Sequence, residues 1–70
     1  MSEYVVIYEQ AGDGEWGAYL PDVAGVVALG ATREEVAAGI EEALAAYAED
    51  LSERGLRLPA PHHVAGTVAA

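Results

Sequence analysis

The chain carries few side chains capable of chemistry, and the adjacent histidines His62 and His63 come first. Imidazole nitrogens bind zinc and related ions. In a strand, however, neighbouring side chains point to opposite faces, so the two rings cannot easily share one ion. We therefore expect a solvent-exposed pair after a proline turn at Pro61 and assign no metal site.

Three carboxylates form a second candidate cluster: Asp13, Glu15 and Asp22. Converging carboxylates hold two metal ions in many nucleases. Such a site also needs a cation or a base nearby, and none of the three arginines is close in sequence. The segment 12–14 is too short for a calcium loop and predicts a turn. We expect solvated surface charges, with a metal-dependent nuclease kept as an alternative.

Side-chain nucleophiles are scarce. Outside tyrosine, the hydroxyl groups are those of Ser2, Thr32, Ser52 and Thr67. Thr32 fits a helix cap, and no serine has an elbow-like context near a histidine. No phosphate-binding glycine loop precedes the predicted helix. The sequence therefore predicts a protein that is not an enzyme and holds no cofactor.

The size of the chain predicts a single domain over residues 1–70, with a small core. A core of this size rarely supplies more than ~3–5 kcal/mol. There is no cysteine, which excludes disulfides and thiolate metal sites. Self-association is the remaining way to stabilise such a domain, so we expect a homo-oligomer, either a dimer or a tetramer.

The charge balance is strongly acidic: twelve acids against three arginines and no lysine give a net charge of −9. Nucleic-acid binding depends mainly on lysine and arginine, so direct binding of DNA or RNA is excluded. Complementary potentials favour a basic protein partner instead. No apolar run approaches the ~18 residues of a membrane span, and no basic region of a signal peptide opens the chain. We expect a cytoplasmic protein without membrane contact.

Three β-branched or aromatic segments predict strands over residues 3–9, 15–20 and 26–29. Glycine and aspartate between the first two predict a hairpin turn, and Pro21 ends the second strand. These segments indicate an antiparallel three-stranded meander.

A helix is predicted over residues 33–54. Thr32 to Glu35 matches a capping box, the following apolar residues recur on one helical face, and Gly55 marks the end. After an extended proline connector, residues 62–68 predict a weak returning edge strand. The fold class is therefore α+β: a two-layer βββαβ domain whose single helix leaves one sheet face open.

Two stretches together resemble the HicB-like antitoxin family: residues 16–25, WGAYLPDVAG, and residues 28–36, ALGATREEV. The family pattern is an aromatic strand ending in Pro-Asp-hydrophobic-Pro-Gly, a short strand to Gly-acid-Thr, and a Glu-Glu-Ala helix start. The resemblance covers about residues 3–60. Departures are Ala24 in place of proline, Ala31 in place of an acid and Val36 in place of alanine.

The resemblance implies a partial ribonuclease-H-like domain without that fold's catalytic acids. Family members are antitoxins that occlude HicA, a small basic mRNA ribonuclease, by protein–protein contact. Many also carry a C-terminal DNA-binding segment; we expect none here and no repression of the chain's own operon. The partner-binding residues are predicted around the second strand: Glu15, Trp16, Tyr19 and Asp22. The alternative is an orphan homo-oligomeric binding module with no toxin partner.

Overall fold

The structure, a computed structural model, describes residues 3–70 and contains a three-stranded sheet with one helix. The strands are β1 (Ile7–Gln10), β2 (Trp16–Leu20) and β3 (Val23–Gly30), and the helix is α1 (Arg33–Glu53). The sheet order is β1-β2-β3, with both strand pairs antiparallel. The predicted meander and helix are confirmed.

The third strand is longer than predicted because it begins directly after the Pro21–Asp22 turn. Its register against β2 shifts near Leu20, which pairs with Val23 although Tyr19 pairs with Val27. Gly25 lies in the extra segment with a φ of +92°, a conformation that glycine adopts without steric cost. The regular pairing with β2 is therefore interrupted inside a segment that appeared from its sequence to be a loop.

The helix ends are held by local hydrogen bonds of the expected kind. The Thr32 hydroxyl accepts the N–H of Glu35 at 3.1 Å, and the Glu35 carboxylate accepts the N–H of Ala31 at 3.0 Å. At the other end, the N–H of Leu56 donates to the Leu51 carbonyl and that of Gly55 to the Ser52 carbonyl. This pair of bonds is a Schellman motif, and the helix stops there.

The core lies between α1 and one face of the sheet. Its buried cluster is drawn from both strands and helix: Ala18, Leu20, Val23, Val26, Val36 and Ile40. Tyr8 and Tyr47, both half-buried, pack against this cluster. At Gly39 the helix approaches the sheet so closely that an added Cβ would lie 3.1 Å from the Cβ of Ala28. Close packing thus explains a glycine in the middle of the helix.

The predicted C-terminal strand is wrong. Among the described residues, no strand follows α1, and residues 56–70 have no regular secondary structure. Pro59 and Pro61 have no N–H to donate to a ladder. The N–H groups of His62 and His63 donate to a side chain instead of a neighbouring strand. Both edges of the sheet are therefore unpaired within the described part of the chain. No described helix is long and apolar enough to cross a membrane.

Substitution of Gly39 by leucine tests the helix–sheet contact. The added side chain must displace Ala28 or the helix, so we expect G39L to lower the free energy of unfolding by about 1–3 kcal/mol, the usual effect of overpacking. The neighbouring Ala38 is exposed, and A38L should stay within about 0.5 kcal/mol of the wild type. Urea denaturation of both variants is the measurement; equal stabilities would contradict the close contact.

Candidate functional site

The most unusual polar side chain of the molecule is Asp22, in the turn between β2 and β3. Its side chain is only 1% exposed, and the neighbouring Pro21 is half-buried. One carboxylate oxygen, Oδ2, accepts the backbone N–H groups of His62 and His63 at 3.0 and 3.1 Å. Asp22 therefore holds a tail segment that is 40 residues away in sequence.

The second carboxylate oxygen faces both imidazole rings. Nδ1 of His62 lies 2.8 Å and Nδ1 of His63 lies 2.5 Å from Oδ1 of Asp22. The ring centroids are 4.6 Å apart. The histidine side chains are 73% and 48% exposed, so the rings form a solvent-facing cover over a buried acid. Both oxygens of the carboxylate thus have partners, as a buried charge requires.

Two opposing effects set the pKa of Asp22. Burial raises it, but the hydrogen bonds from the His63 ring and from the His62 and His63 backbone outweigh burial and lower the pKa to about 2. A depressed carboxyl pKa contributes stability that is present above the unfolded value of 3.8 and lost as the pH falls toward 2. The attachment of the tail therefore persists across the neutral range.

A second contact holds the tail near the start of the chain. The Tyr4 hydroxyl donates to the Pro59 carbonyl at 2.6 Å, and Leu58 packs against the core. A groove of about 520 Å³ lies beside this contact, lined by Tyr4, Glu41, Leu44, Ala45, Ala48 and Leu58. The tail is thus anchored at residues 58–63 without joining the sheet.

The four residues predicted to bind a partner do not form one patch. Glu15 is exposed at the start of β2, and the half-buried Trp16 packs against the core. Tyr19 is 41% exposed on the sheet face that α1 leaves open. Asp22, expected as a solvated surface charge, is buried at the other end of the strand.

The alternative of a carboxylate-based nuclease site has no geometric support. Asp13 lies in the β1–β2 turn, where its Oδ1 accepts the N–H of Glu15 at 2.9 Å. Asp22 lies beyond the opposite end of β2, about 20 Å away at ~3.3 Å per residue. These acids do not converge on a shared ion.

The open sheet face is largely apolar, with Glu9 as an exposed acid on it. The register places Ile7, Tyr19 and Val27 in one row across the three strands, and Glu9, Gly17 and Leu29 in the next. Val27 is 62% and Leu29 85% exposed. Large exposed side chains in adjacent rows are typical of a surface that contacts a partner.

Acidic side chains cover the solvent side of the helix. Seven of the twelve acids lie on α1, and all seven are exposed: Glu34, Glu35, Glu41, Glu42, Glu49, Asp50 and Glu53. Arg54 pairs with Asp50 at 3.0 Å, and the Arg33 guanidinium lies 4.7 Å from the centre of the Tyr8 ring. The strongly negative charge is therefore displayed mainly by the helix.

Sequence reasoning missed the cluster of Asp22 with the two histidines because it treated the tail as a strand. Alternation in a strand would separate the two rings, whereas both turn toward one acid here. The available signal was Pro59 and Pro61, which argue against a paired strand before the histidines. No local pattern links the tail to Asp22.

The hydrogen bonds between Asp22 and the tail are tested by removing the carboxylate oxygens that accept them. In D22A, the amide hydrogens of His62 and His63 should lose their protection and exchange as fast as that of the exposed Val64. The matched variant D13A removes an exposed turn aspartate and should leave the exchange of both amides unchanged. Hydrogen exchange by NMR is the measurement. Protection of the two amides that survives in D22A would show that Asp22 does not hold the tail.

Comparison with known proteins identifies the family of this fold. The model of the family described as "HicB_like antitoxin of bacterial toxin-antitoxin system" matches residues 4–70. Searches of curated proteins and of solved structures gave no match. The match includes the Pro21–Asp22 turn, the helix start at Thr32 and the tail that Asp22 holds. The chain belongs to the HicB-like antitoxin family.

Proposed function

We propose that this chain is an antitoxin core that binds and occludes a small basic ribonuclease of the HicA type by protein–protein contact. The observation that carries the proposal is the open apolar face of the sheet, with Tyr19, Val27 and Leu29 exposed on a chain of net charge −9. The mechanism is steric and electrostatic and involves no bond chemistry.

The apolar face supplies the contact area. Tyrosine is enriched among the residues that dominate binding energy at interfaces, because its ring is large and loses little rotamer freedom. Tyr19 lies at the centre of the row Ile7–Tyr19–Val27, on the middle strand of the sheet. A flat partner surface that covers this row also covers Leu29 in the next row.

The negative charge of the chain speeds its encounter with a basic protein and favours that protein over acidic competitors. Glu9 and Glu15 line a small pocket at the turn end of the sheet, with Trp16, Gly17 and Leu29. Carboxylates at the rim of an apolar surface attract lysine and arginine side chains and repel acidic competitors. The seven acids of α1 add a long-range field that steers a basic protein toward the chain.

The four residues predicted to bind the partner have different roles in this proposal. Glu15 and Tyr19 contact the partner directly. Trp16 lies on the core side of β2, where it packs against the buried cluster and stabilises the strand that carries Tyr19. Asp22 is buried and acts indirectly, because it fixes the β2–β3 turn and the tail.

Self-association belongs to the same proposal. A small core and a sheet with one uncovered face favour a homo-oligomer, a dimer or a tetramer, that buries part of the remaining apolar surface. We place the complex in the cytoplasm, where an mRNA ribonuclease acts, with no direct contact to nucleic acid or membrane. The competing function is an orphan homo-oligomeric module in which a second copy covers the apolar face.

The first test is capture of the partner. We expect the tagged chain, expressed in its native host and purified at low salt, to retain a small basic protein in near-stoichiometric amount. The captured protein, once separated, should cleave RNA, and added antitoxin should inhibit the cleavage. Recovery of the self-oligomer alone would overturn the toxin partner and favour the orphan module.

Surface variants then locate the contact. Y19A should weaken the complex by about 2 kcal/mol or more, which is roughly 30-fold in Kd. E15K and E49K make the same change of charge at the sheet end and on the helix, and only E15K should lower the affinity markedly. Isothermal titration calorimetry measures each Kd. Equal effects of E15K and E49K would remove Glu15 from the interface.

A further inference from the structure

We propose that Asp22, His62 and His63 form a binding site for one divalent transition-metal ion of the zinc type. The site goes beyond the proposed antitoxin function and does not depend on it. One oxygen of Asp22 and one nitrogen of each histidine all lie within 4.8 Å of one another. The three residues come from two separate parts of the chain, the β2–β3 turn and the tail.

The distances between the histidine nitrogens and the Asp22 oxygen are close to the distances between ligand atoms around a coordinated ion. Zinc binds imidazole nitrogen and carboxylate oxygen at about 2.0–2.2 Å, so neighbouring ligand atoms around a tetrahedral ion lie ~3.4 Å apart. Both Nδ1 atoms now lie 2.5–2.8 Å from Oδ1 of Asp22, as hydrogen-bonded groups do. An ion replaces these hydrogen bonds after outward movement of the rings by less than about 1 Å. Both rings are partly exposed, at 73% and 48%, so the solvent side offers room for this movement.

The carboxylate is already oriented by its other contacts. Oδ2 accepts two backbone N–H groups, from His62 and His63, which fixes the carboxylate plane and directs Oδ1 toward the rings. Metal ligands in proteins are usually held by such outer hydrogen bonds, and loss of these bonds weakens metal binding. Because the bonds come from the backbone, they persist when either histidine side chain is replaced.

The donor set selects the class of ion. Two imidazoles and one carboxylate suit zinc, copper and nickel, whereas calcium and magnesium prefer oxygen ligands throughout. The imidazoles are 73% and 48% exposed, so one coordination position stays open to water. A net charge of −9 raises the local concentration of cations around the molecule.

The bound ion would cross-link the tail to the β2–β3 turn, across 40 residues of chain. An ion that binds the folded state and not the unfolded state raises the apparent stability by mass action. For a domain of this size we expect a rise in the unfolding midpoint of roughly 10–20 °C when the Zn²⁺ concentration is about 100 times its Kd.

The experiment titrates Zn²⁺ into the full chain, purified without a histidine tag, by isothermal titration calorimetry, and repeats the titration with Co²⁺ in a spectrophotometer. The wild type should bind one Zn²⁺ per chain, and Co²⁺ should give visible absorption bands of a low-coordinate nitrogen and oxygen site. H62Q and H63Q should each weaken binding by at least about tenfold, the lower end of what loss of even an outer partner of a metal ligand causes.

Two controls distinguish binding at this site from diffuse binding to acids and from loss of the tail position. E42Q/E49Q removes two exposed helix carboxylates and should leave the affinity for Zn²⁺ unchanged, which excludes diffuse binding to acids. Hydrogen exchange of the amides at positions 62 and 63 verifies that H62Q and H63Q keep the tail in place. The proposal is overturned if the wild type binds no Zn²⁺, or if H62Q/H63Q binds it as tightly as the wild type.

Discussion

The close contact between α1 and one face of the sheet determines the geometry of the whole chain. At Gly39 the helix backbone comes so near the sheet that an added Cβ would lie 3.1 Å from the Cβ of Ala28, and Val36 is fully buried one turn earlier in the helix. A single helix at this distance covers one face of three strands and no more. The second face, with Tyr19, Val27 and Leu29, is exposed as a direct consequence.

The sheet and helix depend on different interactions from those that hold the tail. The sheet and helix follow from local patterns, because the cap at Thr32, the helical period and the turn at Pro21 each act within a few residues. These elements could be predicted from the sequence. The break in register at Gly25 could not, since an Ala-Gly pair after a turn also fits a loop, and only pairing with β2 distinguishes the two.

The candidate site depends on long-range contacts, which explains why sequence reasoning recognised its members but not their assembly. Asp22 is a candidate in the sequence as one of three carboxylates and as a partner contact, and the histidines are a candidate pair after a proline. Their meeting across 40 residues depends on the path of the tail, which Tyr4 and Leu58 guide along α1. The predicted strand failed for the same reason: a buried carboxylate competes for the amides that a ladder needs.

The interrupted register of β3 also limits how a second copy of this chain can pair along that edge of the sheet. An edge strand with a free row of N–H and C=O groups is a template for continued sheet growth. In β3 the regular part of that row is short, because Gly25 interrupts the strand between Val23 and Val26. Regular pairing with a second copy along this edge would be limited to residues 27–30, which are in regular register with β2. A short regular edge of this kind disfavours open-ended sheet growth through β3.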